Sequence, residues 1–363
     1  MAKIKYPKLQ INTNKITENA QLWVDKCKDK GIEVAGVIKG ASGLESIIQA
    51  MEKGGVSSIA SSRILQLLKA KEIGVKIPLM LLRIPMLSEV EDVIKVADIS
   101  LNSELVVLES LNKEANRQNK IHKVILMADL GDLREGWWNY DDLIETAYLV
   151  ENTMDNLYLY GIGTNLGCYG AIAATNDKLN ELVNIAEKIE EKIGRSLDII
   201  SGGATSSLPR IFHNDMPNKI NHLRIGEGIL IAPKLDIFND CDLSSFHKDA
   251  CKLFAEVVEI KDKPTYPVGE ITIDAFGNTP EYIDRGIRKR AILGVGKNDY
   301  MDIYSLIPIN DGIKVIGGSG DHTMIDIEDV TDDLHIGDIV EFNLVYVSLL
   351  YLSHSNEINI EVL

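Results

Sequence analysis

The stretch LYLYGIGTNLGCYGAIAATNDKLNELVNIAEKIEEKIGRSLDIIS, residues 157–201, reads as one strand-helix-strand unit. Its ends, LYLYGIG (157–163) and LDIIS (197–201), are short apolar runs of the kind that form buried strands. Between them, after Asn176, the residues Leu179, Leu182, Val183, Ala186, Ile189 and Ile193 recur at helical spacing, and Gly194 supplies a C-terminal stop. Two strands joined by an amphipathic helix make a βαβ unit and therefore a parallel sheet.

Working outward, the same alternation recurs on both sides. Further runs are EVAGVIK (33–39), SSIA (57–60), PLMLL (78–82), ADIS (97–100), HKVILMA (122–128) and NHLRI (221–225). Segments of helical period separate them, such as 103–119 with Leu105, Leu108 and Leu111 on one stripe. Eight strands in roughly two hundred residues is the count of a (β/α)8 TIM barrel, placed here over 14–235. Beyond 235 the texture changes to strand-like runs broken by Gly, Pro and Asp: AEVVEIKD, GEITIDAF, RAILGVG, GIKVIGG, DIVEFNLVYVSLLYL and EINIEVL. These predict a smaller, mostly β C-terminal domain over 236–363, with loops at 261–268 and 277–285. The early run KLQIN has no place in the barrel count, so the N-terminal strand within 1–13 is expected to pair with that domain.

A chain of 363 residues, 45% hydrophobic and 25% charged, can bury a large core. Its 38 Lys+Arg against 54 Asp+Glu give a net charge of −16, which repels phosphate backbones and anionic membranes and argues against a nucleic-acid partner. No apolar run reaches the roughly 18 residues of a membrane span. The opening MAKIKYPKLQINTN lacks the apolar segment of a signal peptide, so a cytoplasmic location is expected. Four cysteines, at 27, 168, 241 and 251, are too few and too scattered for a disulfide framework. Cys241 and Cys251 flank His247 without the tight ligand pairs of a structural zinc site, so ordinary thiols and no metal are expected.

In a barrel, the chemistry sits where the strands end. Lys39 terminates the otherwise apolar VAGVIK and would point into the barrel mouth, where lost hydration lowers an amine's pKa and suits a Schiff-base nucleophile. An ordinary strand-end lysine reaching solvent fits the position equally well, so other residues must decide. SGGATSSLPR (201–210) follows strand seven and RIGEG (224–228) follows strand eight. Two turns of small residues and hydroxyls at adjacent strand ends make the usual phosphate site of this fold. With a lysine opposite, they point to a phosphorylated cofactor bonded to that lysine, a requirement that pyridoxal 5'-phosphate meets.

These motifs resemble the alanine racemase-like, fold-type III pyridoxal-phosphate enzymes over nearly the whole chain. VIKG (37–40) matches the cofactor lysine, and DLGDLREGWW (129–138) is similar to the family's Asp-x-Gly-x-x-Arg segment. SGGATSS and HLRIGEG match its phosphate loop and its pyridine-nitrogen arginine. GIGTNLGCYG (161–170) looks most like the ornithine and lysine racemase branch. The resemblance implies that Lys39 carries the cofactor and serves as acid/base on one face of the substrate α-carbon. It implies that Arg134 bonds the cofactor's phenolate oxygen and lies near the substrate. Ser201 belongs to the phosphate loop, while Thr205, Ser206 and Gly226 bond the phosphate and Arg224 bonds the ring nitrogen. An amino-acid substrate and a homodimer with shared active sites follow as well.

Racemisation also needs a proton donor on the opposite face. Where alanine racemases place a tyrosine, supplied by the partner subunit, this chain reads GVGKNDYMD, with Lys297 in that place and Tyr300 nearby. His322, in the turn GGSGDHTM, is another candidate, and Asp321 beside it resembles the family's substrate-contacting turn. His322 could equally be a solvent-exposed turn residue. Gly43 stands where alanine racemases have a phosphate-binding tyrosine, and Asn165 where many have a histidine under the ring, which argues against a strict alanine racemase. Asp321, Asp299 and Glu227 could pair with a cationic substrate. Trp137 and Trp138 read as a subunit or domain contact, or as core. The leading expectation is an amino-acid racemase for a basic amino acid such as ornithine or lysine. The alternatives are a fold-type III decarboxylase or aldolase, and a non-catalytic cofactor carrier.

Overall fold

The computed structural model describes residues 5–232, 235, 240–274, 276–277 and 279–363. Contacts divide the chain into two units, Thr13–His247 and Met1–Asn12 with Lys248–Leu363. The chain opens with β1 (Lys8–Ile11), a strand of the second unit, and then enters the first.

In the first unit, β2 (Glu33–Val37), β3 (Ser58–Ser61), β4 (Leu79–Leu81), β5 (Ile99–Asn102), β6 (His122–Met127), β7 (Leu157–Gly163), β8 (Ile199–Ala204) and β9 (His222–Ile225) close into a barrel. Each strand pairs parallel with the next, and β9 returns parallel to β2. The (β/α)8 expectation is thus met, strand by strand. The helices between them are α1 (Thr13–Lys28), α2 (Glu45–Lys53), α3 (Ile64–Glu72), α4 (Val90–Val96), α5 (Leu105–Arg117), α6 (Tyr140–Thr153) and α7 (Asn176–Ile193). The short α8 (Pro209–Phe212) and α9 (Glu227–Leu230) follow β8 and β9. Helix α7 shows the local logic. Thr175 caps it by accepting from Lys178 N–H, its buried stripe is Leu179, Leu182, Val183, Ala186 and Ile189, and Gly194 at φ +77 ends it.

Ala35, Val37, Ala60, Met80, Ile99, Leu101, Ile125, Met127 and Ile199 fill one buried cluster inside the barrel. The barrel is a packed core, so only its carboxyl-end rim is available for chemistry. Gly161 on β7 permits the close approach of β8, because a Cβ there would lie 1.9 Å from the Ile199 carbonyl oxygen.

The second unit is built on antiparallel strands β10 (Cys251–Pro264), β11 (Ile287–Leu293), β12 (Leu306–Pro308), β13 (Lys314–Gly318), β14 (Thr323–Asp326) and β15 (Ile339–Leu344), in the order β12-β15-β10-β11-β14-β13. Strand β1 pairs antiparallel with β10 and parallel with β16 (Asn359–Val362). Helices α10 (Lys297–Tyr300) and α11 (Tyr346–Leu352) interrupt the strands.

Several local expectations change here. GEITIDAF forms no strand over 270–274, where Ile271 and Ile273 stay exposed, and its residue 275 lies outside the described residues. Residues 261–264, expected in a loop, extend β10, where they pair with Ile287–Arg290. YVSLLYL is the helix α11 and not the end of a strand, with Ser348, Leu349 and Leu352 buried on one face. A short apolar run fits a strand or a buried helix equally, and only its packing decides. The sequence reading drew the division between units at 235/236, and residues 1–4 and 236 lie outside the described residues. Contacts draw it at His247/Lys248. The cause is that Phe246 stacks 4.4 Å from Trp23 of α1, while Asn19 donates to His247 O at 2.9 Å and accepts from His247 N–H at 2.8 Å.

Candidate active site

Lys39 follows β2 in the 3-10 turn Lys39–Ala41, at the carboxyl end of the barrel. It is half-buried, and burial, followed by the positive charge of Arg134, lowers its amine pKa. Its other electrostatic neighbours are Cys168, Glu135 and Arg224. The lysine is therefore grouped with side chains from the ends of β6, β7 and β9. Gly43, four residues on, sits at φ +61, and a Cβ there would come 2.9 Å from Gln66, so this turn is built without a side chain.

Arg134 is carried by the loop after β6. Asp129 shapes that loop by accepting from the N–H groups of Gly131 (2.8 Å) and Leu133 (3.1 Å). The guanidinium forks onto the adjacent Glu135 carboxylate and donates to Cys168 Sγ at 3.0 Å. Asp132, 1% exposed, locks this loop to the one after β7. It accepts from the N–H groups of Cys168 (3.2 Å), Tyr169 (3.0 Å) and Ile172 (3.3 Å), and from Asn165 Nδ2 at 3.5 Å.

Arg224 is 4% exposed, on β9. It donates Nη2–H to Thr164 O at 2.6 Å and Nη1–H to Ser201 Oγ, whose oxygen lies 2.8 Å from His222 Nδ1. Burial brings its pKa down to about 10, so it keeps its charge at neutral pH, while His222 is pushed down to about 3 and is neutral. Among the described residues, His222 Nε2 is buried without a partner. Ser201 therefore serves Arg224 from inside the barrel rather than lying free in a loop.

Thr205 and Ser206 stand in the 3-10 turn Thr205–Ser207. Thr205 Oγ1 accepts from Gly228 N–H at 3.3 Å, which ties the loops after β8 and β9 together, and Ser206 Oγ donates to Leu166 O at 2.7 Å. Gly226 allows β9 to close on β2, since a Cβ there would meet Val37 at 3.0 Å. Glu227 beside it is half-buried, and burial raises its carboxyl pKa.

The remaining candidates lie in the second unit. Lys297 opens α10, donates its N–H to Ser319 O at 2.8 Å, and holds Nζ 4.4 Å from the Phe276 ring centroid. His322 and Asp321 are exposed in the turn between β13 and β14, where Asn298 Nδ2 reaches Asp321 Oδ1 at 3.5 Å. Gly296 lets the two turns meet, because a Cβ there would lie 2.0 Å from Gly320 O. This unit thus gathers Lys297, Asp321 and His322. Tyr300 is a correction: it is fully buried, and its hydroxyl lies 2.7 Å from Thr323 Oγ1. Thr323 spends its own proton on Val295 O at 2.7 Å, so Tyr300 must donate to Thr323 and its proton is committed. Asp299 likewise accepts from Gly296 N–H and Ser355 Oγ–H. Trp138 is exposed and Trp137 half-buried.

Asp132, Glu135, Cys168 and His222 were missed as site residues by the sequence reading. Asp132 and Glu135 stand inside the quoted DLGDLREGWW and His222 heads NHLRI, but nothing local marks their partners. Among the described residues, no cluster of three or more His, Cys, Asp or Glu could hold a metal, and no helix is long and apolar enough to cross a membrane.

Residues 11–232 match the family described as "Alanine racemase, N-terminal domain". The chain is 43% identical to ornithine racemase of Acetoanaerobium sticklandii, over 95% of this chain and 96% of that one. It is 37% identical to lysine racemase of Thermotoga maritima, over 95% of each. Its fold matches alanine racemase of Bartonella henselae, solved with covalently bound pyridoxal phosphate, with TM-score 0.74, covering 99% of this chain and 100% of that one at 16% identity. With a lysine at the end of the first barrel strand, flanked by two arginines, and with these matches over nearly its whole length, the chain belongs to the alanine racemase N-terminal domain family.

Proposed function

We propose that the chain is a pyridoxal 5'-phosphate-dependent amino-acid racemase that interconverts the L and D enantiomers of a basic amino acid such as ornithine or lysine. The observation that carries the reading is the grouping of Lys39, its amine pKa lowered, with the cations Arg134 and Arg224 at the barrel mouth. Its likeness to ornithine and lysine racemases supports the substrate class.

The residues present fit the cofactor. An amine made easier to deprotonate suits an aldehyde, and the surplus of positive charge over Glu135 suits a phosphate and a phenolate. On this reading Lys39 holds the cofactor, Arg134 its phenolate oxygen, and Arg224 its ring nitrogen. Thr205 and Ser206, in the turn after β8, and Gly226, after β9, take the phosphate, Ser201 holds Arg224, and Asn165 lies at the ring. When bound, pyridoxal 5'-phosphate supplies an electron sink for the pair left behind as the substrate α-proton departs.

The protein's own groups do the rest. Lys39, with its lowered pKa, can accept and return a proton on one face of the α-carbon. Arg224 is fixed by Ser201 and Thr164, stays protonated, and so donates to its partner without taking a proton from it. A second acid/base must act on the other face, and Lys297 and His322 carry that role in this proposal because the Tyr300 proton is committed. Asp321, which forms no salt bridge among the described residues, and Glu227 offer negative charge to a cationic side chain. We further propose a homodimer in which each site takes its second base from the partner, and a cytoplasmic location, which four cysteines with no disulfide among the described residues support.

The test is proton NMR of ornithine, lysine and the common amino acids in D2O with cofactor-loaded protein, followed by chiral analysis. Loss of the α-hydrogen signal together with optical activity is expected for a basic amino acid. Carbon-carbon cleavage or carbon dioxide release without racemisation would reassign the chain as a lyase, and no exchange at all would make it a carrier.

A further inference from the structure

A cavity of about 420 Å³ opens on the opposite face of the barrel, at the amino-terminal ends of β5 and β6. Lys71, Lys95, Lys120 and Lys123 line it. In a chain whose net charge is −16, four lysines gather around this one cavity, and among the described residues none of the four forms an ion pair. The cavity's one carboxylate, Asp98, accepts from Leu79 N–H at 2.8 Å and acts favourably on Lys120, so a single anion faces four lysines.

Two of the ammonium groups are held in place. Lys71 Nζ donates to Lys95 O at 2.7 Å, and Lys120 Nζ donates to Ile94 O at 2.7 Å and Lys95 O at 3.2 Å. Both therefore share the Lys95 carbonyl at the end of α4, close enough that Lys71, after burial, helps to lower the Lys120 pKa. The carbonyl end of a helix favours one cation, but two crowded onto one acceptor repel each other. Pro78 and Ile121 add apolar wall. An arrangement that fixes like charges side by side, with one carboxylate against four lysines, suits a multivalent anion from solution.

We propose that this cavity binds a small phosphate-bearing anion, held by Lys71, Lys95 and Lys120. Lysine is a compact point charge and a good phosphate partner. The site is separate from the phosphate loop after β8 and does not depend on the racemase reading.

The test is calorimetric titration of inorganic pyrophosphate, and in parallel a sugar phosphate, into cofactor-loaded protein at low ionic strength. Saturable binding is expected, and Lys120→Gln weakens it by about tenfold to a hundredfold, the range for one lost charge-assisted hydrogen bond. Lys95→Gln also weakens it without altering the fold, because the exposed Lys95 ammonium makes no bond among the described residues. Thr205→Ala, at the barrel mouth, leaves it unchanged. Tighter binding of the sugar phosphate than of pyrophosphate assigns the apolar wall to an organic body, and the reverse assigns an inorganic ligand. Absence of saturable binding at millimolar probe overturns the proposal. So does binding that survives both lysine substitutions, or binding abolished by Thr205→Ala alone.

Discussion

Asp132→Ala is the sharpest perturbation of the site's architecture. The carboxylate is almost fully buried and receives three backbone N–H groups, from Cys168, Tyr169 and Ile172, together with the weaker Asn165 contact. Alanine leaves those three donors without an acceptor. A stranded buried donor costs about 1–3 kcal/mol, and because Cys168, Tyr169 and the backbone around them face solvent, the lower end applies to each. The total is about 3 kcal/mol, which raises the local opening constant of the loop by roughly a hundredfold. Asp132→Asn keeps the shape but turns one oxygen into a donor, so about 1–2 kcal/mol is expected. Hydrogen exchange of the 165–172 segment reads this directly, with cofactor affinity measured alongside because Arg134 and Asn165 lose their common anchor. Unchanged protection of Cys168, Tyr169 and Ile172 in Asp132→Ala would refute the reasoning, since the two loops would then be held together by something else.

Three further outcomes are expected. The rate at which a small aldehyde labels Lys39, trapped by cyanoborohydride and read by mass spectrometry, rises with pH to a midpoint below 10.5, and Arg134→Gln shifts that midpoint upward because a neighbouring cation is lost; an unshifted midpoint removes Arg134 as a cause. His122 and His222 resist protonation until about pH 4 and about pH 3 in the folded chain, whereas in the unfolded chain they protonate near 6.5. The unfolded state therefore gains protons first, and stability falls as pH drops below 6.5, by up to about 1.4 kcal/mol per pH unit for each histidine. Urea midpoints between pH 7 and 4.5 check this, and an equally steep fall after both are replaced by asparagine contradicts it. Lys297→Ala keeps the cofactor but slows α-proton exchange from one enantiomer more than the other, and mixing it with inactive Lys39→Ala restores about a quarter of wild-type activity if sites are shared across a two-fold dimer. Symmetric, near-normal exchange removes Lys297 from the mechanism.

What was legible in the sequence follows the physics of each element. Barrel strands are buried on both faces, so they read as short apolar runs whose neighbours need not be known. Lys39 stands out because a charge ends such a run. Strand pairs in the second unit are less legible: GEITIDAF has the right alternation, but no strand pairs with its described residues. The polar seam inside the barrel was hidden for a different reason. Ser201 and His222 are aligned partners on β8 and β9, and Arg224 lies two residues further along β9 on the same face. In one dimension these residues are twenty positions apart and look like interruptions in apolar strands. Tyr300 misled for the same reason, since its proton is taken by a threonine that only the β14 register brings near. The seam also has a consequence that the positions alone do not reveal. Ser201 has one proton to give and Arg224 already donates to its oxygen, so the tautomer of His222 and the anchoring of Arg224 are settled together. Replacing Ser201 with alanine should therefore loosen the arginine and strand His222 Nδ1 as well as Nε2, whereas replacing His222 with asparagine leaves the serine a partner. A residue in the interior of the barrel can in this way set how firmly the charge at the mouth is held.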